Sequence, residues 1–204
     1  MKVLFATTNP AKVKNYKDKL ENKGIKVLTL KDLNINLNVD ETGNTAIENA
    51  VIKAKAYGKE TGMITIGMDT NLFLEKVSDE EQPGTHVRRV NGKTLSDEEM
   101  IEYYSKLANK YGGKLEATWV NGVAIYNKGE VKTYSFNKNK FYLIDKVSPI
   151  RHPGYPLDSI SVIPEFNKCL TDLNEEESKL REEIIKKSNH EDVIDAICDM
   201  LKNL

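Results

Sequence analysis

The chain has 204 residues, enough to bury a core and few enough to form one domain over residues 1–204. Its 30 Lys and Arg against 31 Asp and Glu leave a formal charge of -1, so no global basic field points to nucleic acid or an anionic membrane as partner. Cys169 and Cys198 form no CxxC pair, and no apolar run approaches the roughly 18 residues of a membrane span; both features predict a soluble protein of the reducing cytoplasm.

Lys2 to Thr7 reads as a buried strand, and the turn Thr7-Thr8-Asn9-Pro10 carries it into a polar helix through Leu20. A second strand follows at Lys26 to Leu30, and Asn34 to Gly43 reads as a polar loop. Thr45 with Glu48 is a capping-box pattern that opens a helix to Thr61, which Gly62 closes. Met63 to Met68 predicts a short strand that ends at Asp69, and Asn71 to Gly92 reads mostly as loop. Ser96 with Glu99 is a second capping box, opening a helix whose apolar face runs from Met100 to Tyr111 before Gly112-Gly113. Leu115 to Tyr126 and Val131 to Ile144 predict a long antiparallel hairpin about Asn127-Lys128-Gly129-Glu130. After the Pro- and Gly-containing stretch Ser148 to Pro164, helical patterns cover Glu175 to Lys187 and His190 to Leu204. The class is α/β with a mixed sheet.

Three places carry residues suited to chemistry. The strand-to-helix turn Thr7-Thr8-Asn9-Pro10-Ala11-Lys12 offers hydroxyls, backbone N–H groups and one ammonium at a positive helix end, as a phosphate cradle needs. It lacks the glycines and the GK[ST] of a Walker A loop, and taken alone such a turn is more often an Asn-Pro helix start with solvated lysines. Asp40 and Glu41 precede the first capped helix and Asp69 follows a strand, so these carboxylates suit Mg²⁺, which needs one or two of them plus phosphate oxygens. For Asp40 and Glu41 the alternative is loop solvation beside a helix start, whereas a lone acid after MITIGM has to be paired or face a cleft. The third place is Gly154-Tyr155-Pro156-Leu157-Asp158 with Lys168, where a ring can stack on a base, although such turns are commonly turns alone. His86, His152 and His190 show no spacing to a serine or cysteine nucleophile, so triad chemistry has no support.

Taken in order, these segments resemble the inosine/xanthosine triphosphate pyrophosphatase family. ATTNPAK is similar to the family's [TS]GN-x-x-K loop, and ETGNTAIENAVIKAKA is similar to its E-x-G-x-T-x-x-E-N-A-x-x-K-A segment. Met68-Asp69-Thr70-Asn71-Leu72 stands for D-D-S-G-L, Pro83-Gly84 through Arg89 and Gly92 for P-G-x-x-S-A-R-x-x-G, Gly154-Tyr155 for G-Y-D-P, and Asn167-Lys168 for G-K-T. The resemblance implies an elongated α/β fold with a mixed, twisted sheet, a nucleotide cleft between two lobes and a homodimer. It implies that Thr7, Thr8, Asn9 and Lys12 hold a triphosphate, that Glu41, Asp40 and Asp69 hold Mg²⁺, and that Asp69 activates the attacking water. Thr70, Arg89, Gly154, Tyr155 and Lys168 become substrate contacts. The implied reaction turns a non-canonical purine triphosphate such as ITP, dITP or XTP into its monophosphate and pyrophosphate.

The departures from that pattern are specific. Met68 replaces the first acid of a pair, Asn71 replaces a glycine, and Pro156 interrupts G-Y-D-P. The family's S-H-R, which reads the 6-keto edge of the purine, falls on Arg181-Glu182-Glu183. Two other readings follow from these changes: the same reaction with a shifted base preference, and a nucleotide-binding or sensing protein with weak catalysis.

Overall fold

The computed structural model describes residues 1–137, 140–187 and 190–204. In chain order, β1 (Lys2–Ala6) leads to α1 (Pro10–Asn22), β2 (Lys26–Thr29), α2 (Ala46–Thr61) and β3 (Thr65–Leu74). A 3-10 turn (Asp79–Glu81) and a ribbon of β4 (Arg89–Val90) and β5 (Lys93–Thr94) precede α3 (Asp97–Lys110). Next come β6 (Lys114–Asn127), β7 (Glu130–Asn137) and β8 (Phe141–Ile144), then a 3-10 turn (Pro156–Ile160), β9 (Ser161–Ile163) and β10 (Lys168–Cys169). A last 3-10 turn (Leu170–Asp172) leads to α4 (Glu175–Lys187) and α5 (His190–Lys202). Among the described residues, no helix is long and apolar enough to cross a membrane.

The chain forms two compact units, one of Met1–Thr70, Asn121–Phe136 and Lys187–Leu204, the other of Asn71–Val120 and Asn137–Lys186. In the first, β1 lies between β2 and β3 and is parallel to both, which the crossover helices α1 and α2 permit. Alternation along β1 sends Val3 and Phe5 to one face and Leu4 and Ala6 to the other. Val3 and Phe5 meet Tyr16 and Leu20 of α1 and Val193, Ile194, Ile197 and Leu201 of α5. The opposite face meets α2 through Leu4, Ala6 and Tyr57 and through Ala50, Ala54 and Ala124. Burying such side chains stabilises the layer by roughly 1.5–3 kcal/mol for each large aliphatic or aromatic group.

The second unit is antiparallel: β6 pairs with β8, β8 with β9, and β9 with β10. Leu72, Leu74, Leu115, Ala117, Phe141 and Leu143 of its strands bury against Met100, Ile101, Tyr104 and Leu107 of α3. The sheet strands are thus mixed in direction, as the sequence pattern implies.

Both capping boxes form as read. The side chains of Thr45 and Ser96 accept the N–H groups of Glu48 and Glu99, and Gly62 closes α2 in the left-handed conformation. Three readings need correction. β3 does not stop before Asp69 but runs on to Leu74, because Leu72 and Leu74 supply a second alternating apolar face in the other unit. The stretch from Asn71 onward is therefore strand at its start, and the ribbon of β4 and β5 closes it. The hairpin turn at Lys128-Gly129 is present, both residues at positive φ, but its second arm ends at Asn137 and β8 is a separate strand. Lys138 and Asn139, inside that predicted arm, lie outside the described residues.

Candidate active site

The first unit gathers three side chains on one carboxylate and a second acid beside it. Parallel pairing of β1 with β3 runs only to Ala6 and Gly67, so Asp69 stands two residues past the carboxyl end of β1, where α1 begins. Open α/β sheets place ligands at that end of their strands. Asp69 is 9 % exposed, and its alternation partner Gly67 faces α2. A Cβ at Gly67 would lie 2.2 Å from the Ala50 carbonyl oxygen, so glycine there lets α2 settle onto the strand beside Asp69.

That approach brings two α2 side chains to the acid. Asn49 donates its amide to Asp69 Oδ2 at 3.1 Å, and Lys53 donates to Oδ1 at 3.0 Å. The same Lys53 ammonium lies 2.9 Å from Glu41 Oε2. Residues 49 and 53 stand four apart and so share one helix face. From α1, Lys12 Nζ donates to the Met68 carbonyl at 3.2 Å and lies 3.8 Å from Asp69 Oδ1. A buried carboxylate held by two ammonium groups and an amide is a satisfied anion, which answers the desolvation cost of a lone acid in a strand.

The loop that carries Glu41 is pinned at both ends. Tyr57 Oη donates to the Leu37 carbonyl at 2.9 Å, and the Gly43 N–H donates to Asn49 Oδ1 at 2.8 Å. A Cβ on Gly43 would come within 2.6 Å of Glu48 Cβ and 2.7 Å of Asn49 Oδ1. Asp40, one residue before Glu41, is exposed. At the start of α1, Asn9 acts as cap: its carbonyl accepts the Val13 N–H at 3.2 Å, and its Oδ1 faces the Lys12 N–H at 3.4 Å. Thr7 Oγ1 accepts the Asn9 N–H at 3.1 Å, while Thr8 and Asn9 are exposed. Unlike α2, α3 and α4, α1 has no acid in its first turn. Thr70, next after Asp69, donates to Asn121 Oδ1 at 2.9 Å.

The remaining candidates lie in the second unit. Tyr155 is 53 % exposed and follows Gly154, whose N–H donates to Asp97 Oδ2 at 3.1 Å. Asp97 also receives Arg88 Nη1 at 2.8 Å, and the Arg88 hydrogen bond holds its carboxyl below the usual range. Glu98, next in the first turn of α3, takes Arg151 Nε at 2.8 Å. Arg89, by contrast, is exposed on β4. Lys168 lies on β10 and is bonded to Glu177 Oε1 at 2.6 Å. Glu177 also caps α4 by accepting the Asn174 N–H at 3.0 Å, and its carboxyl is lowered first by Lys168 and then by that N–H. Asp158 pairs with His152 Nδ1 at 3.0 Å. Burial lowers the Arg181 guanidinium, against the opposing pull of Asp158, Glu165 and Glu182.

Residues 3–180 match the Ham1 family. The chain belongs to that family. It is 28 % identical over 177 residues to a dITP/XTP pyrophosphatase of Thermoanaerobacter pseudethanolicus, a match that covers 87 % of each chain. The structure of the Staphylococcus aureus Ham1 protein is similar with a TM-score of 0.67 at 26 % identity, covering 87 % of this chain and 89 % of that one. A HAM1 protein from Coxiella burnetii shares the fold over the full length of both chains, with a TM-score of 0.77 at 20 % identity.

In this Ham1 chain the segment Glu41 to Ala54 has a physical reason at nearly every position that the sequence singles out. Thr45 and Glu48 cap the helix, Gly43 admits the loop, Asn49 bridges loop and acid, Lys53 bridges two acids, and Ala50 and Ala54 let Gly67 approach. Asn49 and Lys53 are not among the site residues expected from the sequence, although both are fixed positions of the E-N-A-x-x-K-A pattern and stand four apart on a capped helix. Met68 is explained by alternation: its side chain is buried with Ile66, Val193 and Ile197, on the face opposite Asp69.

Proposed function

We propose that this chain hydrolyses a non-canonical purine nucleoside triphosphate, of the ITP, dITP or XTP kind, to its monophosphate and pyrophosphate. The observation that carries the reading is the convergence of Lys12, Asn49 and Lys53 on Asp69, with Glu41 on the same Lys53 ammonium. The similarity to the dITP/XTP pyrophosphatase of Thermoanaerobacter pseudethanolicus supports it.

The donor set fits Mg²⁺: two carboxylates, Glu41 and Asp69, converge on one cationic group, and a hard cation of this kind needs no more protein ligands when phosphate oxygens and waters complete its shell. Asp40, exposed beside Glu41, is the third candidate ligand. Bound there, Mg²⁺ supplies charge neutralisation for the polyphosphate and lowers the pKa of a water. Thr7, Thr8, Asn9 and Lys12 hold the triphosphate at the α1 start, whose dipole no acid in the first turn offsets. Asp69 accepts the proton of the attacking water, the new bond forms at the α-phosphorus, and the bond to the bridging oxygen breaks to release pyrophosphate. Lys12 and Lys53 neutralise charge on the phosphates as it moves to the leaving group. Thr70, Arg89, Gly154, Tyr155 and Lys168 stay assigned to substrate by the resemblance. Lys168 has to leave Glu177 to serve in that role.

The reading also carries one pyrophosphatase domain over residues 1–204, a homodimer and a cytoplasmic setting. Its test is pyrophosphate release with Mg²⁺ from ITP, dITP and XTP set against the canonical NTPs and dNTPs. Selective turnover of 6-oxopurine triphosphates is the expected result; tight binding without turnover of any of them would replace the hydrolase with the sensing protein.

A further inference from the structure

The charged groups around Asp69 cancel one another: Glu41 and Asp69 against Lys12 and Lys53. Lys53 Nζ lies 2.9 Å from Glu41 and 3.0 Å from Asp69, on a side chain only 14 % exposed, and Lys12 Nζ stands 3.8 Å from the same Asp69 oxygen. The other Asp69 oxygen is taken by Asn49. Position 68 adds no negative charge, since Met68 is packed into the apolar layer on the opposite face. A divalent cation that arrives alone meets carboxylates that are already paired, and to take Glu41 and Asp69 together as ligands it has to compete with the Lys53 ammonium at contact distance from both. A polyphosphate changes that balance, because its several negative charges offer both ammonium groups a stronger partner.

We infer that Lys53 is the site's internal counter-cation: it clamps Glu41 to Asp69 until a polyphosphate draws its ammonium away, so that divalent cation and nucleotide bind in mutual dependence. The inference rests on the proposed triphosphate site. Linkage makes the dependence reciprocal: the nucleotide raises the affinity for the cation by the same factor as the cation raises that for the nucleotide. Lys53 is then a positioning residue for the cation ligands in addition to a partner for phosphate.

The test is binding of Mn²⁺ alone to nucleotide-free protein, with the free aquo ion counted by EPR. Wild-type protein should bind Mn²⁺ weakly, and Lys53→Met should bind one Mn²⁺ per chain roughly tenfold or more tighter, a modest fraction of what one unit charge at salt-bridge distance contributes. The double variant Lys53→Met/Glu41→Gln should lose that gain. Equal or weaker Mn²⁺ binding by Lys53→Met overturns the inference. If Lys53→Met does not fold, wild-type melting decides: a Tm raised by Mn²⁺ alone as much as by Mn²⁺ with an α,β-methylene triphosphate overturns it, and a rise only with both supports it. Failure here is separable from failure of the hydrolase reading, because an active enzyme whose Lys53→Met variant gains no Mn²⁺ affinity contradicts the counter-cation alone.

Discussion

Asn49 donates its amide to Asp69 Oδ2 at 3.1 Å and accepts the Gly43 N–H on its Oδ1 at 2.8 Å, so one buried side chain ties strand β3 to the loop before α2. Asn49→Ala removes both hydrogen bonds from a buried setting. The variant should lose roughly 1–3 kcal/mol of stability, read as a shift in urea midpoint, and most of its turnover, because the Glu41 loop is released. Unchanged midpoint and turnover would remove Asn49 from the account.

Gly67→Ala tests the approach of α2. The new Cβ would sit 2.2 Å from the Ala50 carbonyl oxygen and 2.8 Å from the Ala54 nitrogen, both backbone atoms that cannot swing away. Overpacking of this kind costs about 1–3 kcal/mol or more. Because the helix carries Asn49 and Lys53, turnover should fall along with thermal stability. An alanine variant with wild-type melting and activity would mean that α2 need not sit so close.

Much of this arrangement is legible in sequence, for a physical reason that also marks where legibility ends. Thr45 with Glu48 and Ser96 with Glu99 are local patterns, settled within four residues of backbone, and both form as read. The reach of β3 past Asp69 is not local. It depends on Leu72 and Leu74 finding the core of the second unit, which no window around residue 69 contains. The second arm of the hairpin fails for a related cause: Val131 to Ile144 has apolar residues enough for one strand, yet β8 takes Leu115 and Ala117 as partners at a different stretch of β6. At the site, Asp69, Glu41 and Lys12 stand out by residue type and position, whereas Asn49 and Lys53, although fixed positions of the E-N-A-x-x-K-A pattern, read by type as ordinary polar residues of a helix until Gly67 brings that helix to the strand.

Acid should weaken the α3 start in a defined window. Hydrogen bonds from Lys93, then from the backbone and side chain of Ser96, hold the Glu99 carboxyl down from 4.5 to about 2. The unfolded chain therefore binds a proton in that range that the folded chain does not, so this contribution is fully present above about 4.5 and is lost as the pH falls toward 2. Urea midpoints measured at about pH 5 and about pH 3 should differ less for Glu99→Gln than for wild-type protein. An equal drop in both would show that Glu99 does not couple folding to protons.

Asp69→Asn is the most direct check on the central claim that chemistry occurs where Lys12, Asn49 and Lys53 meet one carboxylate. The measurement is Mg²⁺-dependent pyrophosphate release from dITP by wild-type and variant protein, with melting curves alongside. The account predicts a folded variant whose rate falls by roughly two orders of magnitude or more, the scale on which a positioned general base contributes. A folded variant that keeps near-normal pyrophosphate release would contradict it.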